Sequence, residues 1–192
     1  IKEINGLWVK ENGEIFKNDL RPLLQNLDEI PIIDYTNRNK YSIEGNQLKY
    51  KDPYTEYSKI YIMAGRGCPF QCSFCVNSYL KKILGDKVLR RRSVDNFIEE
   101  LKEVKKRFKN LTEFFFVDEV FVLDKLWLDE FIEKYKEINV PFQCELYPTT
   151  VSEDIVKKLK KAGLINVNMG IQSGSDRVRR EVFKRPTPSE KI

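Results

Sequence analysis

The chain has 192 residues, with 34 Lys plus Arg against 29 Asp plus Glu, four Cys and no His. The missing imidazole excludes Ser-His-Asp and Cys-His nucleophiles, His-ligated zinc enzymes and His proton shuttles within these residues. With 41% hydrophobic residues the chain can fill a core, so it is not an intrinsically disordered sequence.

The net charge of +5 is uneven, with residues 1–60 carrying 9 basic and 10 acidic groups and the remainder 25 and 19. Most of these lysines alternate with glutamates on helix-like segments, which reads as solvated surface rather than a nucleic-acid site. No apolar run approaches the roughly 20 residues needed to cross a bilayer, and no signal segment opens the sequence. The default setting is cytoplasmic and reducing, where Cys residues are thiols or metal ligands rather than disulfides. A chain that begins with Ile1 and stops at Ile192, just after a helix-like stretch, reads as a piece of something longer.

Residues 1–58 have the punctuation of hairpins and extended connector. Asn12-Gly13 between Leu7-Trp8-Val9 and Ile15-Phe16 is a strong hairpin signal, and Glu44-Gly45-Asn46 is a weaker one between Tyr41 and Tyr50. From residue 59 short β-rich runs alternate with amphipathic helices. Strands are expected at Lys59 to Ala64, Thr112 to Val117, Phe142 to Leu146 and Ile165 to Ile171. Helices are expected from Ser93 to about Asn110, over 125–138, from Ser152 to Ala162 with Gly163 as its stop, and from Asp176 to Lys184. Four strand-then-helix units imply a parallel sheet with right-handed crossovers, either barrel or open doubly wound. In both, chemistry collects at the carboxyl ends of the strands.

Strand one runs into Gly65-Arg66-Gly67-Cys68-Pro69-Phe70-Gln71-Cys72-Ser73-Phe74-Cys75, a C-x3-C-x2-C pattern. Three thiolates in eight residues can converge on one metal centre of zinc, copper(I) or iron-sulfur type. A tetrahedral zinc would need a fourth ligand, for which Cys144 is the remaining Cys, although a small buried strand residue is its simpler role. A 4Fe-4S cluster held by three Cys leaves one iron open. Strand two ends in Val117-Asp118-Glu119, strand three in Cys144-Glu145-Leu146-Tyr147-Pro148, and strand four in Gly170-Ile171-Gln172-Ser173-Gly174-Ser175-Asp176-Arg177. The run Arg90-Arg91-Arg92 ahead of the first helix reads as a solvated basic face.

The triplet after the first strand of a parallel α/β unit, with an aromatic before its third Cys, resembles the radical S-adenosylmethionine (SAM) superfamily. The resemblance implies a fold of α/β class, a partial six-unit TIM-like barrel of which about four βα units lie in residues 59–192, preceded by the 1–58 connector. It implies a 4Fe-4S cluster on Cys68, Cys72 and Cys75, with SAM chelated to the open iron and cleaved by one electron to a 5'-deoxyadenosyl radical. It further implies that Phe74 lies against the adenine, that Asp118 or Glu119 receives the SAM ammonium, and that Glu145, in an E-x-x-P string, takes the ribose hydroxyls. Gln172 and Ser173 would add donors and acceptors, and Arg185 would hold the SAM carboxylate, with Arg177 and Arg180 as rivals.

The connector, with Leu27-Asp28-Glu29-Ile30-Pro31, is similar to the segment that follows a cobalamin-binding domain in the B12-associated branch, so cobalamin would come from a domain outside this chain. The expected partners are a low-potential electron donor of flavodoxin or ferredoxin type and a small-molecule or peptide substrate with an unactivated C–H bond. With two strands of six missing, the isolated chain is expected to be weak or inactive in catalysis. Two alternatives stay open: a methylthiotransferase, suggested by Gln172 to Arg177, and a non-catalytic Cys metal-binding module. Methylthiotransferases carry three further cluster Cys in an N-terminal domain, and residues 1–58 contain none.

Overall fold

The computed structural model describes residues 2–185 and 187–192. Both expected hairpins form. Strands β1 (Trp8–Glu11) and β2 (Glu14–Lys17) pair antiparallel around Asn12 and Gly13, whose φ values of 49° and 85° are those of a two-residue turn matched to strand twist. Strands β3 (Ser42–Glu44) and β4 (Gln47–Lys49) pair around Gly45, at φ 60°.

The remaining elements follow as β5 (Lys59–Ile62), β6 (Gly65–Arg66), α1 (Val76–Leu84), β7 (Arg90–Arg91), α2 (Val94–Arg107), β8 (Glu113–Phe116), α3 (Lys125–Tyr135), β9 (Phe142–Leu146), α4 (Glu153–Ala162) and β10 (Leu164–Met169). Strands β5, β8, β9 and β10 form one sheet in the order β10-β9-β8-β5, with every pairing parallel. Local chemistry sets the helix ends. Ser93 accepts from the Asn96 amide to start α2, Asp124 from the Leu126 and Trp127 amides to start α3, and Ser152 from the Ile155 amide to start α4. Gly163, at φ 114°, closes α4 in the left-handed conformation.

Side-chain alternation decides between the two parallel architectures. On one face Ile60, Ile62, Phe114, Phe116, Phe142, Cys144 and Leu146 are buried in a core with the inner stripes of α2, α3 and α4. Phe116 sits at its centre, with ring centroids 5.0 Å from both Phe121 and Phe142. Each such ring contributes roughly 2–3 kcal/mol of burial. The other face carries Tyr61, Phe115, Gln143, Glu145, Asn166 and Asn168, none of them buried. A doubly wound sheet buries both faces, whereas here the helices cover only one, as in a barrel wall whose other face lines the interior. Polar side chains are linked across that interior face: Lys59 pairs with Glu113, Gln143 Nε2 donates to Glu113 at 2.6 Å, and Asn166 Nδ2 to Gln143 at 3.0 Å.

The connector is fastened to this unit by polar contacts. Tyr35 Oη donates to Glu100 on α2 at 2.7 Å, the Ser93 amide donates to Asp28 at 2.9 Å, and Arg90 Nη1 donates to the Leu24 carbonyl at 2.8 Å.

Several sequence expectations need correction. Helix α1 lies in what reads as continuous loop, because its apolar stripe faces outward and gives no core periodicity. Strand β5 stops at Ile62 and β10 at Met169, each short of the expected end, which frees the following residues for the site loops. The expected helix from Asp176 to Lys184 contains a π turn at Val178–Val182, in which the Phe183 amide donates to the Val178 carbonyl at 2.9 Å.

The arginine run is not a solvated face. The Arg91 guanidinium lies 4.4 Å from the Trp127 ring centroid, and Arg92 pairs with Glu100 while its carbonyl accepts from Trp127 Nε1. These aromatic and acidic partners come from α2 and α3, so the run's local polarity could not reveal them.

Candidate active site at the strand carboxyl ends

The Cys loop is pinned at its base by backbone pairing. Gly65 and Arg66 pair antiparallel with Arg91 and Arg90, and Gly67 sits at φ 87° against the far side of the loop. A Cβ on Gly67 would fall 2.4 Å from the Val88 carbonyl oxygen, so no other residue fits there without moving the chain. Beyond it Cys72 is buried, and Cys68 and Cys75 are partly exposed. The Cys75 amide and the Ser78 hydroxyl both donate to the Cys72 carbonyl, at 3.1 and 2.7 Å. The Ser73 amide and hydroxyl donate to the Phe183 and Val182 carbonyls, at 2.9 and 2.7 Å. Thus the loop is docked on a segment more than a hundred residues later in sequence.

Burial pushes the Cys68 thiol up, and the neighbouring Cys75 and Cys72 push it further. A bound cation reverses both effects, because it is the deprotonated thiolate that ligates. Among the described residues no three Cys, Asp or Glu are gathered as ligands for a single metal ion. Three thiolates leave a tetrahedral zinc one ligand short, whereas a 4Fe-4S cluster takes each thiolate on a separate iron, so the donor set is compatible with a cluster. Cys144 does not contribute: it is fully buried on the helix-facing side of β9, and burial first, with Asp118 and Glu145, pushes its thiol up to about 12.

Arg185 is the centre of the arrangement. It is buried, its Nη1 donates to Cys72 Sγ at 3.6 Å and its Nη2 to the Gly170 carbonyl. Its guanidinium carbon stands 4.2 Å from the Tyr147 ring centroid, and the other face of Tyr147 stacks on Phe70 at 3.7 Å. Its Nε is buried and has no hydrogen-bond partner among the described residues. An orphaned guanidinium N–H costs free energy that an incoming carboxylate would recover, so the residues present fit an anionic ligand at this point. The rivals are turned elsewhere: Arg177 pairs with Glu181 at 3.5 Å and Arg180 with Asp176 at 2.8 Å, both on the surface.

Gln172 and Ser173 lie in the loop beside Arg185. Gln172 is held at φ 71°, a conformation costly for a residue with this side chain, and such strain concentrates at ligand sites. Arg179, which the sequence reading passed over between its two neighbours, organises this loop. It is fully buried, donating to the Ser173 carbonyl at 2.7 Å, the Thr187 carbonyl at 2.9 Å and Ser189 Oγ at 2.8 Å, with Asp176 at 3.3 Å. No local sequence signal separates it from Arg177 and Arg180; only the π turn aims it inward.

The remaining expected residues divide. Glu145 faces the interior side and accepts from Asn168 Nδ2 at 3.1 Å. Glu119 is exposed, near enough to Cys68 to raise its thiol slightly. Asp118 turns away from solvent and accepts from the Ala64 amide at 3.0 Å, with Arg91 Nη2 3.8 Å off. Phe74 is 52% exposed and meets Phe183 edge-on at 5.2 Å. The structure thus brings Cys72 and Arg185 into contact and ties Arg185 to the Gly170 carbonyl, two residues ahead of Gln172. It gives Asp118 backbone and Arg91 partners instead.

Comparison with known proteins bears on this arrangement. The family model described as the radical SAM superfamily matches residues 62–192. The chain is 32% identical over 196 residues to an uncharacterized methyltransferase of Pyrococcus horikoshii, covering all of this chain and 39% of that protein. It is 27% identical over 175 residues to the cytidylyl-2-hydroxyethylphosphonate methyltransferase of Streptomyces wedmorensis, covering 88% of this chain and 32% of the relative. A bacteriochlorophyllide d C-8(2)-methyltransferase of Chlorobaculum tepidum is 29% identical over 186 residues, with 90% and 39% covered. The chain therefore spans well under half the length of these relatives.

Among solved structures, the radical SAM methyltransferase TsrM of Kitasatospora setae, with tryptophan and a SAM analogue bound, superposes over 99% of this chain and 37% of its own with a TM-score of 0.67. At 13% identity that likeness concerns the fold. With the triplet seated on the loop after the first sheet strand and the family match running from that strand through Ile192, the chain belongs to the radical SAM superfamily.

Proposed function

We propose that this chain is the cluster- and SAM-binding portion of a radical SAM methyltransferase of the cobalamin-associated branch. The observation that carries the reading is Arg185, which joins the Cys72 thiol to the end of β10 and keeps one buried N–H without a partner among the described residues. Cys68, Cys72 and Cys75 would hold the cluster, and the Arg185 Nε would receive the SAM carboxylate. Glu145, already oriented by Asn168, would accept from the ribose hydroxyls, while Gln172 and Ser173 would line the same pocket. Exposed Glu119 is the better placed of the two acidic residues for the SAM ammonium, since Asp118 is committed to the Ala64 amide. Phe74 would reach the adenine by leaving its edge contact with Phe183.

When bound, the cluster and SAM supply the electron and the 5'-deoxyadenosyl radical that removes a hydrogen atom from an unactivated C–H bond. The contribution of these residues is to fix both groups at the mouth of the interior face and to hold water away from them. The methyltransferase names of three relatives support methylation as the outcome, and the bound cobalamin of a second TsrM structure, with a TM-score of 0.57 over 69% of this chain, supports a cobalamin partner supplied from outside it. The electron would come from a flavodoxin- or ferredoxin-type donor in a reducing, cytoplasmic setting.

The test is anaerobic reconstitution with iron and sulfide, followed by dithionite reduction and electron paramagnetic resonance with and without SAM. The expected result is a brown chain whose reduced signal changes when SAM is added. A Cys72→Ala chain that assembles the same SAM-responsive cluster, or a parent chain that takes up only colourless zinc, would sink the proposal.

A further inference from the structure

We infer that Tyr147 is a positioning residue for Arg185, setting the plane of its guanidinium so that Nε faces the place of the SAM carboxylate; this rests on the reading above and names a residue outside the groups that would touch SAM. Tyr147 follows directly on β9 and is buried. Pro148 comes next and restricts it to the extended backbone that it occupies, at φ −114° and ψ 135°. One face of its ring stacks on Phe70 of the Cys loop, with centroids 3.7 Å apart and 15° between the planes, and the other carries the Arg185 guanidinium at 4.2 Å.

Hydrogen bonds alone leave this fork one freedom. Nη1 reaches Cys72 Sγ at 3.6 Å and Nη2 reaches the Gly170 carbonyl, and two contact points let the planar group tilt about the line that joins them. The Tyr147 ring removes that tilt, because a cation is attracted to the face of the ring. Phe70 backs the ring, and Thr187 Oγ1 donates to the Tyr147 hydroxyl at 3.3 Å. With both terminal nitrogens engaged and the plane fixed, Nε is the buried donor left without a partner among the described residues.

The chain is bent to deliver the guanidinium onto this ring. Lys184 sits at φ 49°, a sparsely populated conformation for a residue with a Cβ, and the Arg185 amide then donates back to the Arg179 carbonyl at 2.8 Å. The Thr187 amide donates to the Arg185 carbonyl at 2.8 Å, so the residue whose hydroxyl holds Tyr147 also holds the Arg185 backbone. Phe70, Tyr147 and Arg185 therefore form one stack that joins the Cys loop, the end of β9 and the segment after the π turn.

The test compares SAM affinity, read from the SAM dependence of the reduced cluster's resonance signal, in the reconstituted parent and its variants. Tyr147→Leu should bind SAM about tenfold more weakly, with its signal in the absence of SAM like the parent's. Tyr147→Phe keeps the stacked face and should bind within about twofold of the parent. Phe70→Leu, at a partly exposed loop position that tolerates change, should lose about threefold, and it reads the same stack where Tyr147→Leu fails to fold. In a chain that already carries Arg185→Lys, adding Tyr147→Leu should lower affinity by less than about twofold, because the fork that the ring orients is gone.

Orientation can also be read without the cluster. In proton-nitrogen spectra of the apo chain, the Arg185 Nε proton should lie upfield, displaced by the Tyr147 ring current, and that shift should survive in Tyr147→Phe and vanish in Tyr147→Leu. Undiminished SAM affinity in Tyr147→Leu and Phe70→Leu, a loss in Tyr147→Phe equal to that in Tyr147→Leu, the full loss repeated in the Arg185→Lys background, or an unshifted Nε proton in the parent would overturn the assignment. If the parent forms no SAM-responsive cluster, the functional reading fails, and the apo resonance still decides whether Tyr147 holds Arg185.

Discussion

Asp118 at the end of β8 accepts a hydrogen bond from the Ala64 amide at 3.0 Å, fastening the second strand to the root of the Cys loop 54 positions earlier. Burial raises this carboxyl from 3.8 to about 6, against the opposing pull of Arg91 and of the Ala64 and Gly65 amides. The folded chain therefore holds the proton more tightly than the unfolded chain. Stability is greatest below about pH 4 and declines as pH rises through 6, by up to about 3 kcal/mol from this group. Asp118→Asn keeps an acceptor for Ala64 and removes that slope. Urea midpoints at pH 5 and pH 7.5 should converge on, or pass, the parent's as pH rises; a difference independent of pH would show that the carboxyl titrates normally.

Arg179→Ala should destabilise the chain by about 3 kcal/mol, since it strips hydrogen bonds from the buried carbonyl of Thr187 and from that of Ser173 and leaves a cavity. Arg177→Ala, on the surface of the same turn, should cost under about 0.5 kcal/mol. Chemical denaturation of the two variants compares them directly, and equal losses would refute the central role of Arg179.

Gln172→Gly relieves the side chain held at φ 71° and should stabilise the fold by about 1 kcal/mol. The same change removes an amide from the proposed SAM pocket, so SAM affinity of the reconstituted chain should fall. Gain of stability with unchanged affinity would remove Gln172 from the site.

Cys144 should resist alkylation at pH 8 in the folded chain, because its buried thiol titrates near 12, whereas partly exposed Cys68 and Cys75 should react. Mass mapping after iodoacetamide, with and without urea, reads this. Cys144→Ala should retain the iron content of the reconstituted parent, and loss of iron would restore Cys144 as a ligand.

Arg185→Lys keeps a positive charge but not the fork that spans Cys72 and Gly170. SAM affinity should drop about tenfold, measured as the SAM dependence of the cluster's resonance signal, with the cluster itself still formed.

Much of the frame was legible in the residues. The turn at Asn12-Gly13, the caps at Ser93, Ser152 and Gly163, and the strand at Phe142–Leu146 follow from local rules, and they form. Helix α1 and the inward arginines were not legible. Val76, Tyr79 and Ile83 signal a helix only to a reader who allows its apolar stripe to stay uncovered. Arg91, Arg92 and Arg179 look like surface charge until distant aromatic, carboxylate and carbonyl partners are placed around them.

The sequence by itself determined the donor set: three Cys in eight residues, no His, and alternating strand and helix periods that put the triplet at a strand end. Those are consequences of residue identity and short spacing. Tertiary structure decided which face of the sheet is interior, that Cys144 belongs to the core, and that Arg185 rather than Arg177 or Arg180 meets the Cys loop. Those outcomes depend on contacts across more than a hundred residues and on a π turn, and the energies that fix them come from burial and pairing that no local window contains.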